Sequence, residues 1–247
     1  MRVVAIALCL ALAACSQGRQ EAEPGNAESA VPVVQPTATL TAPAATPEPA
    51  LPRITGRYST RDECSALTGW QPFAAAVRAA VVKRDSRAFA ALASDGILLD
   101  FGGGAGQAEL VKRLDDRSAR SLWEELDQLV ALGCAKVGGG QGASMPWFWE
   151  QDLGGADPFE VWLVTGAAVP LLSAADPEAP PRASLGWVLV EPLKQYAGQA
   201  PFQNVRLVGR SEQGYVESRY LRSQIDYRLI SERIGGTWRI THLIAGD

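Results

Sequence analysis

Histidine is almost missing from this 247-residue chain, with His242 its single example. That removes His-rich metal chemistry and leaves any Ser-His-Asp mechanism dependent on one residue. His242 sits in TWRITHLIAGD, whose alternation predicts a terminal strand, so a packed or solvent-facing ring is expected rather than a catalytic base. The chain also has no run of lysine or arginine, and its net charge is -4. Nucleic acid is therefore excluded as a partner, because its binding needs a basic footprint. After the first apolar run, no second long apolar segment occurs, and between Ser16 and Thr55 there is no aromatic residue. That stretch, with QPTATLTAPAATPEPALP at its centre, cannot bury enough apolar surface to offset the entropy of ordering. It reads as a proline-rich tether over residues 15–58, holding a folded part away from whatever anchors the chain.

What precedes the tether is MRVVAIALCLALAACS. Arg2 leads into an apolar run, Val3 to Leu12, too short to span a bilayer and of the length of a signal-peptide core. The run ends in Leu12, Ala13, Ala14 and Cys15, which resembles the bacterial lipobox. The resemblance implies cleavage after residue 14 and lipidation of Cys15. Ser16 follows where an Asp tends to retain such lipoproteins in the inner membrane, so the resemblance implies an outer-membrane anchor facing the periplasm, with the lipid as the membrane attachment. Several acyl chains anchor stably, each buried methylene contributing about 0.8 kcal/mol.

With Cys9 in the signal and Cys15 lipidated, Cys64 and Cys134 remain, an even pair in an oxidising compartment. A disulfide between them is expected, worth roughly 3 to 4.5 kcal/mol in the chain-entropy model. A zinc site is the alternative, but His242 and two isolated cysteines lack metal-ligand spacing, so no metal is expected.

The folded part begins near residue 59. Thr68 is placed to cap a helix with Pro72 in its first turn and Phe73, Val77, Ala80 and Val81 on one face. A short helix after Asp85 buries Phe89 and Leu92, and a later one over about 119–132 aligns Leu122, Trp123, Leu126, Leu129 and Val130. Between them lies ILLDFGGGAGQAEL, Ile97 to Leu110, which resembles the first motif of Rossmann-like methyltransferases. The resemblance stops there, because no further strand-helix units follow and an exported protein meets no S-adenosylmethionine pool. No cofactor is expected, and the glycines are read as a tight turn with positive φ.

Helix, Arg84-Asp85 turn, short helix and strand resemble the opening of proteins related to nuclear transport factor 2, and YRLISERIGGTWRITHLIAGD resembles their closing hairpin. Gly235 and Gly236 would form its turn, with Trp238, Ile240 and His242 alternating along one side. Between these segments, residues 158–223 read as short strands separated by turns, suggesting a small barrel. Val205, Leu207, Gly214, Tyr215, Val216, Tyr220 and Leu221 resemble the end of bacterial SH3 domains, although Val169 to Ser173 depart from the family upstream. The fold class expected is α+β: a mostly helical body over residues 59–150, completed by a hairpin over 224–247, with an SH3-like barrel between them.

Bacterial SH3 modules, the resemblance implies, bind cell-wall peptides or protein partners without chemistry. Candidate ligand contacts are Tyr196, Tyr215, Tyr220, Trp187 and Phe202, with core packing the competing role for Trp187 and Tyr215. In MPWFWEQDL, Trp147 and Trp149 should face one way if extended, either as a stacking platform or as a plug sealing the junction between barrel and body. The expected function is a lipid-anchored, non-enzymatic envelope protein binding peptidoglycan peptide or a periplasmic protein. The alternative is an envelope hydrolase using Asp100, Glu150 or Asp152 as acid and base.

Overall fold

The computed structural model describes residues 50–117, 121–193 and 200–246. The signal segment, Cys15, Ser16, the tether up to residue 49 and Tyr196 lie outside the described residues. In chain order come β1 (Arg53–Thr55), β2 (Arg61–Asp62), α1 (Trp70–Lys83), α2 (Ser86–Ala90), β3 (Ala93–Leu98), α3 (Gln107–Asp115) and α4 (Leu122–Ala131). Strands β4 (Gly133–Val137), β5 (Gly142–Met145), β6 (Trp162–Val164), β7 (Val169–Leu172), β8 (Pro181–Gly186) and β9 (Leu189–Pro192) follow. The chain closes with β10 (Phe202–Leu207), β11 (Gln213–Glu217), β12 (Leu221–Ser223), β13 (Arg228–Ile234) and β14 (Thr237–Ile244).

The helices form where apolar spacing demands them. Phe73, Val77, Ala80 and Val81 of α1 are buried, as are Leu122, Trp123, Leu126 and Leu129 of α4. The N-cap of α1 is Gly69 and not Thr68, whose carbonyl instead accepts the Trp238 indole N–H at 3.0 Å. Asp85 caps α2 by accepting the Ala88 N–H at 2.9 Å. These helices share one core with a six-stranded sheet of order β2-β4-β5-β13-β14-β3. Trp70 meets Trp238 edge-on there, ring centroids 5.0 Å apart, in a geometry that favours aromatic pairs.

The second sheet has eight strands in the order β1-β8-β7-β11-β10-β9-β6-β12. Two features overturn the expected helical body plus SH3-like barrel. First, the sheet of the central segment runs from an edge at β1 to an edge at β12 and is not closed into a barrel. One of its edges, β1, comes from the stretch read as tether and adds parallel to β8, with Ile54 opposite Leu185. Second, the body is built on a large mixed sheet: four strands from residues 61–145 join the C-terminal hairpin, so the described structure is mostly β with few helices. Strands β4 and β5, GCAKV and GASM, have no aromatic residue and a single β-branched one, Val137, and so carry little of the composition that marks a strand. They are strands because β5 pairs with β13, Met145 opposite Leu229, and no local periodicity announces that.

The hairpin β13–β14 turns at Gly235 and Gly236, with Trp238 and Ile240 buried. A bulge follows: Ile240 pairs with Ser231 but His242 pairs with Ile230, leaving Thr241 extra. The bulge puts His242 on the opposite side from Ile240, half-buried.

The glycine motif is a turn bridged by charge. Strand β3 ends at Leu98, and Asp100 Oδ1 accepts the N–H groups of Gly102 and Gly104 at 2.7 and 2.9 Å. Asp100 Oδ2 is bonded to Arg113 of α3, which also donates to the Leu99 carbonyl at 3.1 Å and to Glu109 at 3.1 Å. Gly103 and Gly106 have φ of 100° and 92°. A Cβ on Gly104 would lie 2.1 Å from both the Asp100 carboxylate and the Arg113 guanidinium, so only glycine leaves room for this ion pair.

Beneath the helices, the Arg222 and Glu125 side chains are each 1% exposed, with Nη1 3.6 Å from Oε2. Arg222 also donates to Gln128 Oε1 at 2.9 Å and to the Tyr227 carbonyl at 2.6 Å. This ties β12, the edge of one sheet, to α4 over the other.

Two outcomes follow. Arg222→Ala strands Glu125 in a dry interior and should cost about 3 to 5 kcal/mol, read as a lowered urea midpoint. The Asp100 carboxyl is held below its ordinary value of 3.8 by its hydrogen bond to Arg113 and then by the Gly104 N–H. A carboxyl depressed on folding contributes stability above its unfolded value, lost as pH falls through the folded one. The stability difference between wild type and Asp100→Asn should therefore hold constant above about pH 5 and shrink below about pH 4. A pH-independent difference in thermal midpoints would refute this role for Asp100.

Candidate functional site

The chain passes between the two sheets at residues 56–60, 146–161 and 224–227, and the first of these is a short strap leading from β1 to β2. Its start is held by Gly56, which donates to the Gly186 carbonyl at 2.7 Å. Its end is held more firmly. Glu63 donates to the Cys134 carbonyl at 2.8 Å, and Cys64 and Cys134 stand at disulfide distance with Cα atoms 5.8 Å apart. Beside them, β2 runs so close to β4 that a Cβ on Gly133, whose φ is +84°, would lie 2.1 Å from the Arg61 carbonyl oxygen. A link across 70 residues restricts the unfolded chain by about 4 kcal/mol in the chain-entropy model, so it anchors the strap at little native-state entropy cost.

The strap borders a cleft of about 390 Å³. Ile54, Leu153, Val188, Leu189, Leu207 and Val208 supply its apolar lining, with Arg57, Tyr58 and Arg210 as the polar groups. Tyr58 is anchored edge-on against Phe148, centroids 5.5 Å apart, and its hydroxyl donates to the Asp152 carbonyl at 3.1 Å. Arg57 donates to the same carbonyl at 2.9 Å and to the Tyr58 hydroxyl at 3.2 Å. Its guanidinium pKa is raised above the ordinary value, first by the hydrogen bond to Tyr58, so it stays cationic at every relevant pH. Arg210 has Glu212 at 3.8 Å, a loose exposed pair that leaves most of its donors to solvent.

Next along the strap lies a second hollow of about 230 Å³, lined by Arg57, Tyr58, Arg61, Trp147, Gln151 and Asp152. Arg61 sits over the Trp147 ring at 4.8 Å, and the indole N–H donates to Glu63 at 2.8 Å. Two guanidiniums in this mostly polar hollow, one stacked on a ring, suit a carboxylate.

The aromatics singled out from sequence do not converge on this cleft. Trp147 to Glu150 form a turn of 3-10 helix and not an extended strand, so the two tryptophans part. Trp147 meets Arg61, while Trp149 stacks under Arg228 at 3.8 Å. Phe148 is the plug between them, packed with Tyr58, Leu153, Val161, Leu163 and Leu189. Trp187 is half-buried against this same cluster and Tyr220 against the core of the eight-stranded sheet. Tyr215 lies on β11 opposite Asn204 and Leu172, and Phe202 opposite Glu217.

The carboxylates have structural employment or face solvent. Asp100 holds the glycine turn, Asp152 accepts the Gly154 N–H at 2.8 Å, and Glu150 is exposed. His242 Nδ1 lies 2.9 Å from the Thr241 hydroxyl. The Asp62 carboxylate and the sulfurs of Cys64 and Cys134 fall within 4.8 Å of one another. With the sulfurs joined, the carboxylate is the ligand that group still offers.

Sequence reasoning missed Arg57, Tyr58, Arg61 and Arg210. The signal was present in RITGRYSTR, where arginines recur every four residues around a tyrosine, but the preceding proline-rich composition masked it.

No family model and no curated protein matches this chain. Among solved structures, it has a weak likeness to an NTF2-like protein with a cystatin-like fold from Novosphingobium aromaticivorans. The two share 12% identity at a TM-score of 0.25, over 71% of this chain and 77% of that one.

Proposed function

We propose that this is a lipid-anchored protein of the bacterial outer membrane, facing the periplasm, whose folded part binds an acidic peptide without performing chemistry. The address rests on the Leu12 to Cys15 motif with Ser16 after it, and the disulfide-distance pair suits an oxidising compartment. The observation that carries the binding role is the 390 Å³ cleft with Arg57 and Arg210 around an apolar lining.

That combination selects among ligands of the envelope. A cavity of this size is at the lower end of small-ligand sites, enough for a few small residues and too small for a folded partner's core contacts. The stem peptide of peptidoglycan carries free carboxylates on its γ-glutamyl and diaminopimelyl residues, flanked by alanines, which supplies both the anion and the small apolar body. Each carboxylate–guanidinium contact contributes about 1 kcal/mol at an exposed rim and up to about 3 when desolvated. Two such contacts with modest apolar burial correspond to a Kd on the order of 0.1 to 1 mM. A tether of tens of residues raises the effective concentration at the cell wall, so weak single-site affinity is sufficient.

The test uses the tripeptide L-Ala-γ-D-Glu-meso-diaminopimelate in NMR titration, alongside sedimentation with purified sacculi. Wild type should show saturable shifts at Arg57 and Tyr58 and should co-sediment, while Arg57→Gln with Arg210→Gln should lose roughly tenfold or more in affinity with the spectrum of the folded chain intact. Wild type remaining unshifted at several millimolar peptide and staying wholly in the supernatant would eliminate the peptidoglycan reading. A periplasmic protein partner would then be sought by crosslinking.

A further inference from the structure

We infer that a third hollow, beside the disulfide, is a second carboxylate subsite, so that the ligand is one extended peptide carrying two acidic groups. This rests on the acidic-peptide reading of the cleft and extends it to the ligand's length and charge pattern. The hollow measures about 210 Å³ and brings Thr60, Arg61 and Arg78 together over Trp70 and Met145.

Two observations set it apart from ordinary surface relief. The first is charge. The side chains of Arg61 and Arg78 make no hydrogen bond or ion pair among the described residues, Arg61 resting over the Trp147 ring, whereas Arg84 and Arg206 are each bonded to a carboxylate at 2.5 Å. Arg78 is on α1 directly after Val77, which is wholly buried, so packing of the helix holds the base of the Arg78 side chain at the rim. Two guanidiniums lining one hollow repel unless an anion lies between them. Asp62 also lines the hollow, its Oδ1 accepting the Cys64 N–H at 3.0 Å, and its charge offsets one guanidinium, so the hollow keeps a net positive charge.

The second is continuity. The cleft is lined by residues 54–58 of the strap, the middle hollow by Arg57, Tyr58 and Arg61, and this hollow by residues 60–62. Arg57 and Arg61 thus each serve two neighbouring cavities, and the three form one track. The four residues from Arg57 to Arg61 reach no further than about 14 Å, which an extended peptide covers in about four residues. The ligand that uses both ends has carboxylates about three to four residues apart, with a small residue crossing the Trp147 face.

The test compares two synthetic probes on the full-length chain: acetyl-Glu-Ala-Ala-Ala with a free C-terminal carboxylate, and the same peptide amidated at its C-terminus. Wild type should bind the free acid about threefold to tenfold more tightly than the amide. Arg78→Gln, an exposed substitution that leaves the α1 core face untouched, should bring that ratio to about one while leaving the affinity for the amide unchanged. Arg57→Gln should weaken both probes. If wild type binds both probes equally, or if Arg78→Gln preserves the ratio, the second subsite is refuted and the cleft stands alone. If wild type binds neither probe, the acidic-peptide reading of the cleft fails and this inference fails with it.

Discussion

Arg222 carries a permanent charge in an interior that is almost dry, and the architecture is arranged around keeping that charge satisfied. Glu125 and Gln128 reach it from α4, the Tyr227 carbonyl accepts from it, and Asp226 stands at 3.9 Å. These partners come from an edge strand of one sheet, the start of the next hairpin and a helix covering the other sheet. An ion pair of this kind adds little net stability over a well-packed apolar group, but losing one partner is severe because the other charge has nowhere to go. It therefore acts as a registration device. The two sheets can be placed in one way that satisfies the charge, and displaced arrangements bury a naked guanidinium or carboxylate.

Given that placement, the strap between β1 and β2 has to cross from sheet to sheet over a junction that is not fully packed. Phe148 and Tyr58 fill its floor, and the remaining space is the track of three hollows. The strap and the first residue of β2 thus link the sheets and carry Arg57 and Arg61. Backbone hydrogen bonds hold one end, the Cys64–Cys134 link and the close approach at Gly133 hold the other. Arginine side chains lose rotamer freedom when they bind, and fixing the backbone beneath them removes part of that cost in advance.

Local signals were legible where the element makes its own pattern. The buried stripes of α1 and α4, the Asp85 cap and the Gly235-Gly236 hairpin all follow from residues a few positions apart. The short strands of the central segment were also readable, but not what their sheet would do at its edges. A closed barrel and an open sheet share the same alternation, and the difference lay in Arg53–Thr55, three residues at the end of a proline-rich stretch. The bulge at Thr241 shows the same limit inside a well-read element, since one extra residue moved His242 to the other face.

The sequence by itself determined the helices, the terminal hairpin and the cysteine inventory, because periodicity, turn chemistry and residue counts are local or global properties that need no partner. Only the tertiary structure decided that GCAKV and GASM are strands, that the glycine motif is bridged by Asp100 and Arg113, and that Arg57, Arg61, Arg78 and Arg210 line hollows that share residues. The physical reason is common to all three. A ladder hydrogen bond or an ion pair is satisfied by whatever group folding brings within about 3 Å, 13 residues along for Asp100 and Arg113 and far further for Met145 and Leu229, where no local spacing rule reaches.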